Sequence, residues 1–125
     1  MFDNVRMLTS LAGLMKNKDG LRQAGERIKA KMEATRVTGV AGGGAARATA
    51  TGTMRILEVE LSPALVMGMA GDPKTHQLAG TLIAEAVNMA IREAQGKLQQ
   101  AVSEEAKALG LPDMPELSGM FGLTS

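Results

Sequence analysis

Alanine occupies every second position of the segment ARATAT, at Ala46, Ala48 and Ala50. Alternate residues of a β-strand point to the same face of a sheet, so these alanines share one face and the arginine and threonines between them share the other. A face that carries only methyl groups allows a helix to approach the strand closely. The segment therefore predicts a sheet with a helix packed at short distance on one side.

The strand follows a cluster of three glycines in VTGVAGGGAARATATG, residues 37–52. A Walker-type phosphate loop needs G-x-x-x-x-G-K-[ST], and although Gly39 and Gly44 have this separation, Ala45 and Ala46 follow them. The dinucleotide pattern G-x-G-x-x-G fails as well, because position 47 is arginine. Both motifs need a helix after the glycines. The cluster instead indicates a flexible hairpin turn in which glycine supplies positive φ.

Two segments place apolar residues at the three- and four-residue spacing of an amphipathic helix. The first ends near Thr35, and the second runs from about Pro73 to Leu109, where Gly110 suits a C-terminal cap. Between the strands and the second helix, Gly68 and Gly71 predict a loop. The predicted apolar stripe of the second helix comprises Leu78, Leu82, Ile83, Ala86, Val87, Ala90, Ala94, Leu98 and Val102.

Strand alternation resumes after Gly52 in MRILEVEL, residues 54–61. Its period of two predicts one face with Arg55, Leu57, Val59 and Leu61 and the other with Met54, Ile56, Glu58 and Glu60. Glycine-marked turns between three such segments predict an antiparallel meander. The fold class is therefore α+β, with a long N-terminal helix, a three-stranded antiparallel sheet and a long C-terminal helix.

The chain length suits one domain with flanking segments. Residues 1–16 form an N-terminal extension that keeps a helical apolar rhythm, with a break at NKDG, residues 17–20. The predicted domain spans residues 17–110. Residues 111–125 contain two prolines and form a predicted flexible tail, free or docked on a partner.

Composition excludes several classes of function. The chain has no cysteine, which excludes disulfides, thiolate metal sites and cysteine nucleophiles. Phe2 and Phe121 are its two aromatic residues, which argues against the base-stacking platforms of single-stranded nucleic-acid binders. A core without aromatics is thin, so oligomerisation is an expected source of stability. The N-terminus carries Asp3 and has no long uninterrupted apolar run, so a secretory signal is not expected. The segment PALVMGMAG, residues 63–71, is too short to span a bilayer.

Charge is unevenly distributed although the net charge is only +1. Residues 1–57 hold ten basic and four acidic residues, whereas residues 58–125 hold four basic and nine acidic residues. The two parts therefore carry +6 and −5. This asymmetry indicates a basic face for a polyanion, or a charge-complementary contact within the protein.

The strand region resembles the signature of the YbaB/EbfC nucleoid-associated proteins, whose pattern runs roughly V-x-G-x-x-G-x-G, a small-apolar strand, a glycine turn, and an apolar strand closing in Asp/Ser-Pro. The matching positions are Val37, Gly39, Gly42, Gly44, Gly52, Val59, Leu61, Ser62 and Pro63. LIAEAVNMAIREA, residues 82–94, resembles the family's second helix, with Ala86, Asn88 and Ala90 in an A-x-N-x-A core. The LPDMP segment, residues 111–115, is also similar.

This resemblance implies a small homodimer that binds double-stranded DNA with weak or no sequence specificity. It also implies a cytoplasmic protein that associates with the bacterial nucleoid. No enzymatic activity, cofactor, metal, small-molecule substrate or membrane partner is expected.

Phosphate contact needs lysine and arginine side chains presented together. The predicted DNA-binding residues are Lys18, Arg22, Arg27, Lys29, Lys31 and Arg36. Four of them recur at intervals of four, seven and seven and are expected on one side of the apolar stripe: Lys18, Arg22, Lys29 and Arg36. The other two, Arg27 and Lys31, lie one turn apart and are expected to face outward. Alternatively, these bases form an ordinary solvated helix face, partly paired with Glu26 and Glu33.

Other functions rest on weaker patterns. A dimeric protein-interaction adaptor, acting in DNA repair or replication through methionine-rich surfaces and residues 114–122, is the alternative to DNA binding.

Single polar residues give weaker indications. His76 is the single histidine, and a lone histidine near a helix start is more often a surface or capping residue than a base. Glu58 and Glu60 are expected to be exposed or to pair with Arg47. Asn88 is expected to be a buried hydrogen-bonding residue that sets dimer register.

Overall fold

The computed structural model describes residues 18–110, so the predicted N-terminal extension (1–16) and tail (111–125) lie outside the described residues. The elements follow one another as α1 (Lys18–Ala34), β1 (Arg36–Ala41), β2 (Ala46–Thr51), β3 (Ile56–Leu61), α2 (Pro63–Gly71) and α3 (Pro73–Ala108). The predicted α+β class, the meander and the long C-terminal helix are confirmed, as is the described part of the long N-terminal helix.

The described residues fall into two compact units. One unit is Lys31–Leu98, which contains the sheet, α2 and most of α3. The other combines residues 18–30 of α1 with residues 99–110 at the end of α3. A division of this kind was not predicted, and the single domain over residues 17–110 stays a prediction.

The three strands form one antiparallel sheet in the order β1-β2-β3. Gly42–Gly44 connect β1 to β2, with φ values of 62°, 65° and 103°. This is the left-handed region, which glycine enters without the steric cost that a Cβ imposes. The glycine cluster is therefore a hairpin turn, as predicted.

The alanine face of β2 is covered by α3. Ala46, Ala48 and Ala50 are each 0% exposed and belong to one buried cluster. The other members of the cluster are Val37, Ala41, Ala86, Ala90 and Ala94. The prediction that small side chains allow a helix to lie close on the sheet is confirmed.

The backbone of α3 lies very close to the sheet at Gly39. This glycine lies in β1 opposite Ala48, and a Cβ placed on it would overlap the carbonyl oxygen of Ala86 and lie 2.5 Å from the backbone nitrogen of Ala90. No side chain fits between these two backbones, because a 2.5 Å approach is far inside van der Waals contact. Glycine is needed here for space rather than for its φ angle.

The predicted faces of β3 are wrong at its first residues. The β2–β3 register shifts between Thr49 and Ala50, so that Ala50 lies opposite Ile56. Ile56 and Met54 consequently pack against the core cluster together with Leu61, although the period of two assigned them to the face opposite Leu61. A β-bulge adds one residue to a strand and reverses the alternation beyond it, and a period of two does not reveal where it occurs.

The predicted loop after the sheet is also wrong, because residues 63–71 form the helix α2. Ser62 caps its N-terminus: the Ser62 Oγ accepts a hydrogen bond of 3.2 Å from the Leu65 backbone N–H. Pro63 follows at the first helical position, where its missing N–H costs nothing. Gly68 lies inside the helix against the Thr75 side chain, with 2.8 Å between the Thr75 Cγ2 and the position of a Cβ on Gly68.

α3 buries most of its predicted stripe, but two residues differ from the prediction. Leu78 is 51% exposed, and Asn88 is exposed rather than buried within this chain. Ala86 and Ala90 face the sheet, and Asn88 lies two residues from each of them. Two residues correspond to a rotation of about 200° around the helix, so Asn88 lies on the side of α3 that faces away from the sheet.

Replacing Gly39 with alanine tests the close approach. We expect Gly39→Ala to lower the free energy of unfolding by about 2–4 kcal/mol, because the backbone of α3 or β1 must shift to admit a methyl group. Gly96→Ala is the matched control on α3, since a Cβ there meets no atom within 4 Å. It should raise the stability by about 0.5–1 kcal/mol. Urea unfolding followed by circular dichroism measures both, and similar effects of the two changes would contradict the close approach.

Candidate nucleic-acid interface

Three of the predicted DNA-binding residues form one row along α1. Lys18, Arg22 and Lys29 are exposed, and a rotation of about 100° per residue places them within about 40° of arc. Among residues 18–110, none of the three forms an ion pair with a carboxylate, so the alternative in which the basic residues partly pair with Glu26 and Glu33 has no support at these three positions. We call these three residues the basic row. Its positive charge is available to an anion that approaches from solvent.

Arg27 and Lys31 lie on the opposite side of α1, about 140–180° around the helix from the basic row. Both are exposed. The outward face between the two sides carries carboxylates instead: Asp19, Glu26 and Glu33. The predicted DNA-binding residues therefore do not share one surface of α1, because acidic residues separate them.

Arg27 is bound by a carboxylate from α3. The Arg27 Nε donates to Glu105 Oε1 at 3.2 Å, and the Arg27 Nη2 donates to Glu105 Oε2 at 2.9 Å. These hydrogen bonds raise the pKa of Arg27 above its ordinary value. The bidentate geometry orients the guanidinium and offsets its charge. The two residues are 78 positions apart, so no local pattern could have indicated this pair.

Arg36 does not lie on α1, where the interval pattern had grouped it. The helix ends at Ala34, and Arg36 is the first residue of β1. Its Nη1 donates to the carbonyl oxygen of Glu33 at 2.7 Å and to that of Thr35 at 3.2 Å. Arg36 therefore satisfies carbonyl groups at the C-terminus of α1, where a cation also interacts favourably with the helix dipole.

The sheet face opposite the alanines carries charges of both signs. The register places Arg47 directly opposite Glu60, which confirms that these residues are cross-strand neighbours. A hydrogen bond with Glu60 and repulsion from its charge raise the pKa of Glu58 above its ordinary value of 4.5. A surface with two close carboxylates is a poor site for a phosphate backbone, so the sheet is a weaker candidate than α1.

Other candidate chemistry has little support in the part of the chain that the structure describes. No group of three histidine or acidic side chains there could hold a metal ion. His76 is exposed near the start of α3, as a surface histidine would be. No helix between residues 18 and 110 is long and apolar enough to cross a membrane.

Comparison with known proteins identifies the family. A model of the YbaB/EbfC DNA-binding family matches residues 7–109. The chain belongs to this family. The match includes α1, the sheet and α3, so the resemblance seen in the strand signature and in residues 82–94 is confirmed.

Individual YbaB/EbfC relatives agree with this match. A nucleoid-associated protein of Acinetobacter baumannii strain ATCC 17978 is 32% identical over 118 residues, which cover 94% of this chain and 99% of that protein. A nucleoid-associated protein of Pseudomonas fluorescens strain Pf0-1 is 26% identical over 106 residues, which cover 85% of this chain and 93% of that protein. The similarity thus extends over nearly the whole length of both relatives.

The two glutamates of β3 give a pH-dependent prediction. Because the pKa of Glu58 is raised on folding, the folded state binds this proton more tightly, and stability declines as pH rises through that pKa. We expect Glu58→Gln to raise the melting temperature at pH 7, and this gain to shrink as the pH is lowered toward 4.5. Glu85→Gln on α3 removes the same charge and serves as the control. A gain that is independent of pH would contradict the repulsion.

Proposed function

We propose that this protein is a nucleoid-associated protein that binds double-stranded DNA as a homodimer, with weak or no sequence specificity, through phosphate contacts from basic residues. The observation that carries this proposal is membership of the YbaB/EbfC DNA-binding family over residues 7–109. The names of the Acinetobacter and Pseudomonas relatives support action at the nucleoid.

The basic row provides the phosphate contacts in this proposal. Lys18, Arg22 and Lys29 lie along about three turns of one helix, so several adjacent phosphates of a duplex are within their reach. Lysine and arginine contacts to phosphate carry no sequence information, which accounts for weak specificity. Arg27, Lys31 and Arg36 remain proposed contacts, but secondary ones. Arg27 already binds Glu105, and Arg36 binds carbonyl groups at the end of α1.

Self-association is supported by exposed apolar side chains. Leu57 and Val59 on the edge strand β3 are 43% and 39% exposed, and Met67 on α2 is 77% exposed. An edge strand also offers unpaired backbone groups to another chain. A dimer doubles the number of basic rows, which compensates for a net charge of only +1 per chain.

Neutralising the basic row tests its role. We expect Lys18→Gln/Arg22→Gln/Lys29→Gln to weaken binding to two unrelated duplexes by about tenfold or more at about 0.1 M salt, because fewer phosphates are neutralised. The slope of log affinity against log salt should fall by about 0.9 for each phosphate that is no longer bound. Fluorescence anisotropy across a salt series measures both quantities.

Lys74→Gln/Arg92→Gln/Lys97→Gln is the matched control, since it removes three exposed positive charges from α3. An equal loss of affinity in the two triple variants would show that net charge, not the basic row, determines binding. Light scattering of the wild-type protein gives its mass in solution. A folded dimer that binds neither duplex at low salt would overturn the DNA proposal and favour the protein adaptor.

A further inference from the structure

The bidentate pair between Arg27 and Glu105 joins α1 to the end of α3 within one compact unit. The Arg27 side chain remains 54% exposed, whereas the Glu105 side chain is 22% exposed. The cation is therefore accessible from solvent while its carboxylate partner lies deeper. The charge of Arg27 is therefore already offset before any anion approaches from solvent.

The geometry leaves part of the guanidinium for another ligand. Arginine has five N–H donors, and Glu105 uses the edge formed by Nε and Nη2. Nη1 and the second hydrogen of Nη2 can still donate to a phosphate oxygen. A phosphate bound there would lie within about 6 Å of the Glu105 carboxylate, and like charges at this separation repel each other at a protein surface.

A phosphate that approaches Arg27 thus meets a cation that is already paired with a carboxylate. The basic row differs, because none of its three residues forms an ion pair with a carboxylate among residues 18–110. The two sides of α1 are therefore expected to attract a phosphate backbone to different degrees.

We propose that Glu105 lowers the affinity of the protein for DNA by competing with phosphate for Arg27. This inference rests on the proposed function. In it, Glu105 positions the Arg27 side chain and offsets its charge. Removing the carboxylate leaves Arg27 able to bind phosphate without a competing anion. Affinity then increases, and binding becomes more sensitive to salt.

The test compares full-length wild type with Glu105→Gln, Arg27→Gln and the double variant on one duplex across a salt series. We expect Glu105→Gln to bind about three- to tenfold more tightly at about 0.1 M salt. Its slope of log affinity against log salt should steepen by up to about 0.9 for each additional phosphate that Arg27 binds. The increase in affinity should disappear in the Arg27→Gln background, because Glu105 affects DNA binding only through the Arg27 side chain.

Glu93→Gln is the matched control, because it removes one exposed negative charge from the same helix. The proposal is overturned if Glu105→Gln binds no more tightly than wild type, if Glu93→Gln gives the same increase in affinity, or if the increase persists in the Arg27→Gln background. Circular dichroism checks that each variant folds. A purely structural pair would lower the melting temperature without steepening the salt dependence.

A measurement on the wild-type protein keeps the proposal testable even if Glu105→Gln does not fold. In an arginine-labelled sample, the Nε–H resonance of Arg27 should shift less than that of Arg22 as duplex is added at low salt, because Glu105 holds the Nε edge of Arg27. An Arg27 signal that moves as far as the Arg22 signal overturns the competition. Absence of any DNA binding by wild type overturns the proposed function itself, whereas wild-type binding without tighter binding by Glu105→Gln overturns only this inference.

Discussion

The contact between α3 and the sheet depends on residues that carry almost no side chain. Gly39 allows the backbones of β1 and α3 to approach until a single added Cβ would overlap Ala86. Alanines on β2 and α3 then meet across the same interface. The strand register follows from this contact, since a slip by one residue would turn the alanine face away from the helix and bring Arg47 toward it.

Much of this architecture could be predicted from the sequence because it depends on local periodicity and turn chemistry. The alternating alanines of β2, the glycine hairpin and the ends of α1 and α3 all leave patterns within a few residues. Other features leave weaker patterns or none. The bulge opposite Thr49 and Ala50 is one added residue. The segment that forms α2 has a good cap at Ser62, but the glycines inside it are typical of a loop.

The candidate site was predictable in composition but not in geometry. The sequence identifies which residues of α1 are basic, and a helix period separates Lys18, Arg22 and Lys29 from Arg27 and Lys31. It does not reveal that Arg36 binds the carbonyl groups that end α1, or that Arg27 meets Glu105. Both depend on where the chain turns after the helix and on contacts between distant segments, so charge alone overestimates the surface that is open to a phosphate backbone.

The alanine-rich interface has a thermodynamic consequence. Seven of the eight buried residues in the core cluster of the described chain are alanine, so unfolding exposes little apolar surface for each residue released. The heat capacity of unfolding comes largely from the hydration of newly exposed apolar surface. A small heat capacity change flattens the curve of free energy against temperature, so the stability of this core varies little between cold and warm conditions.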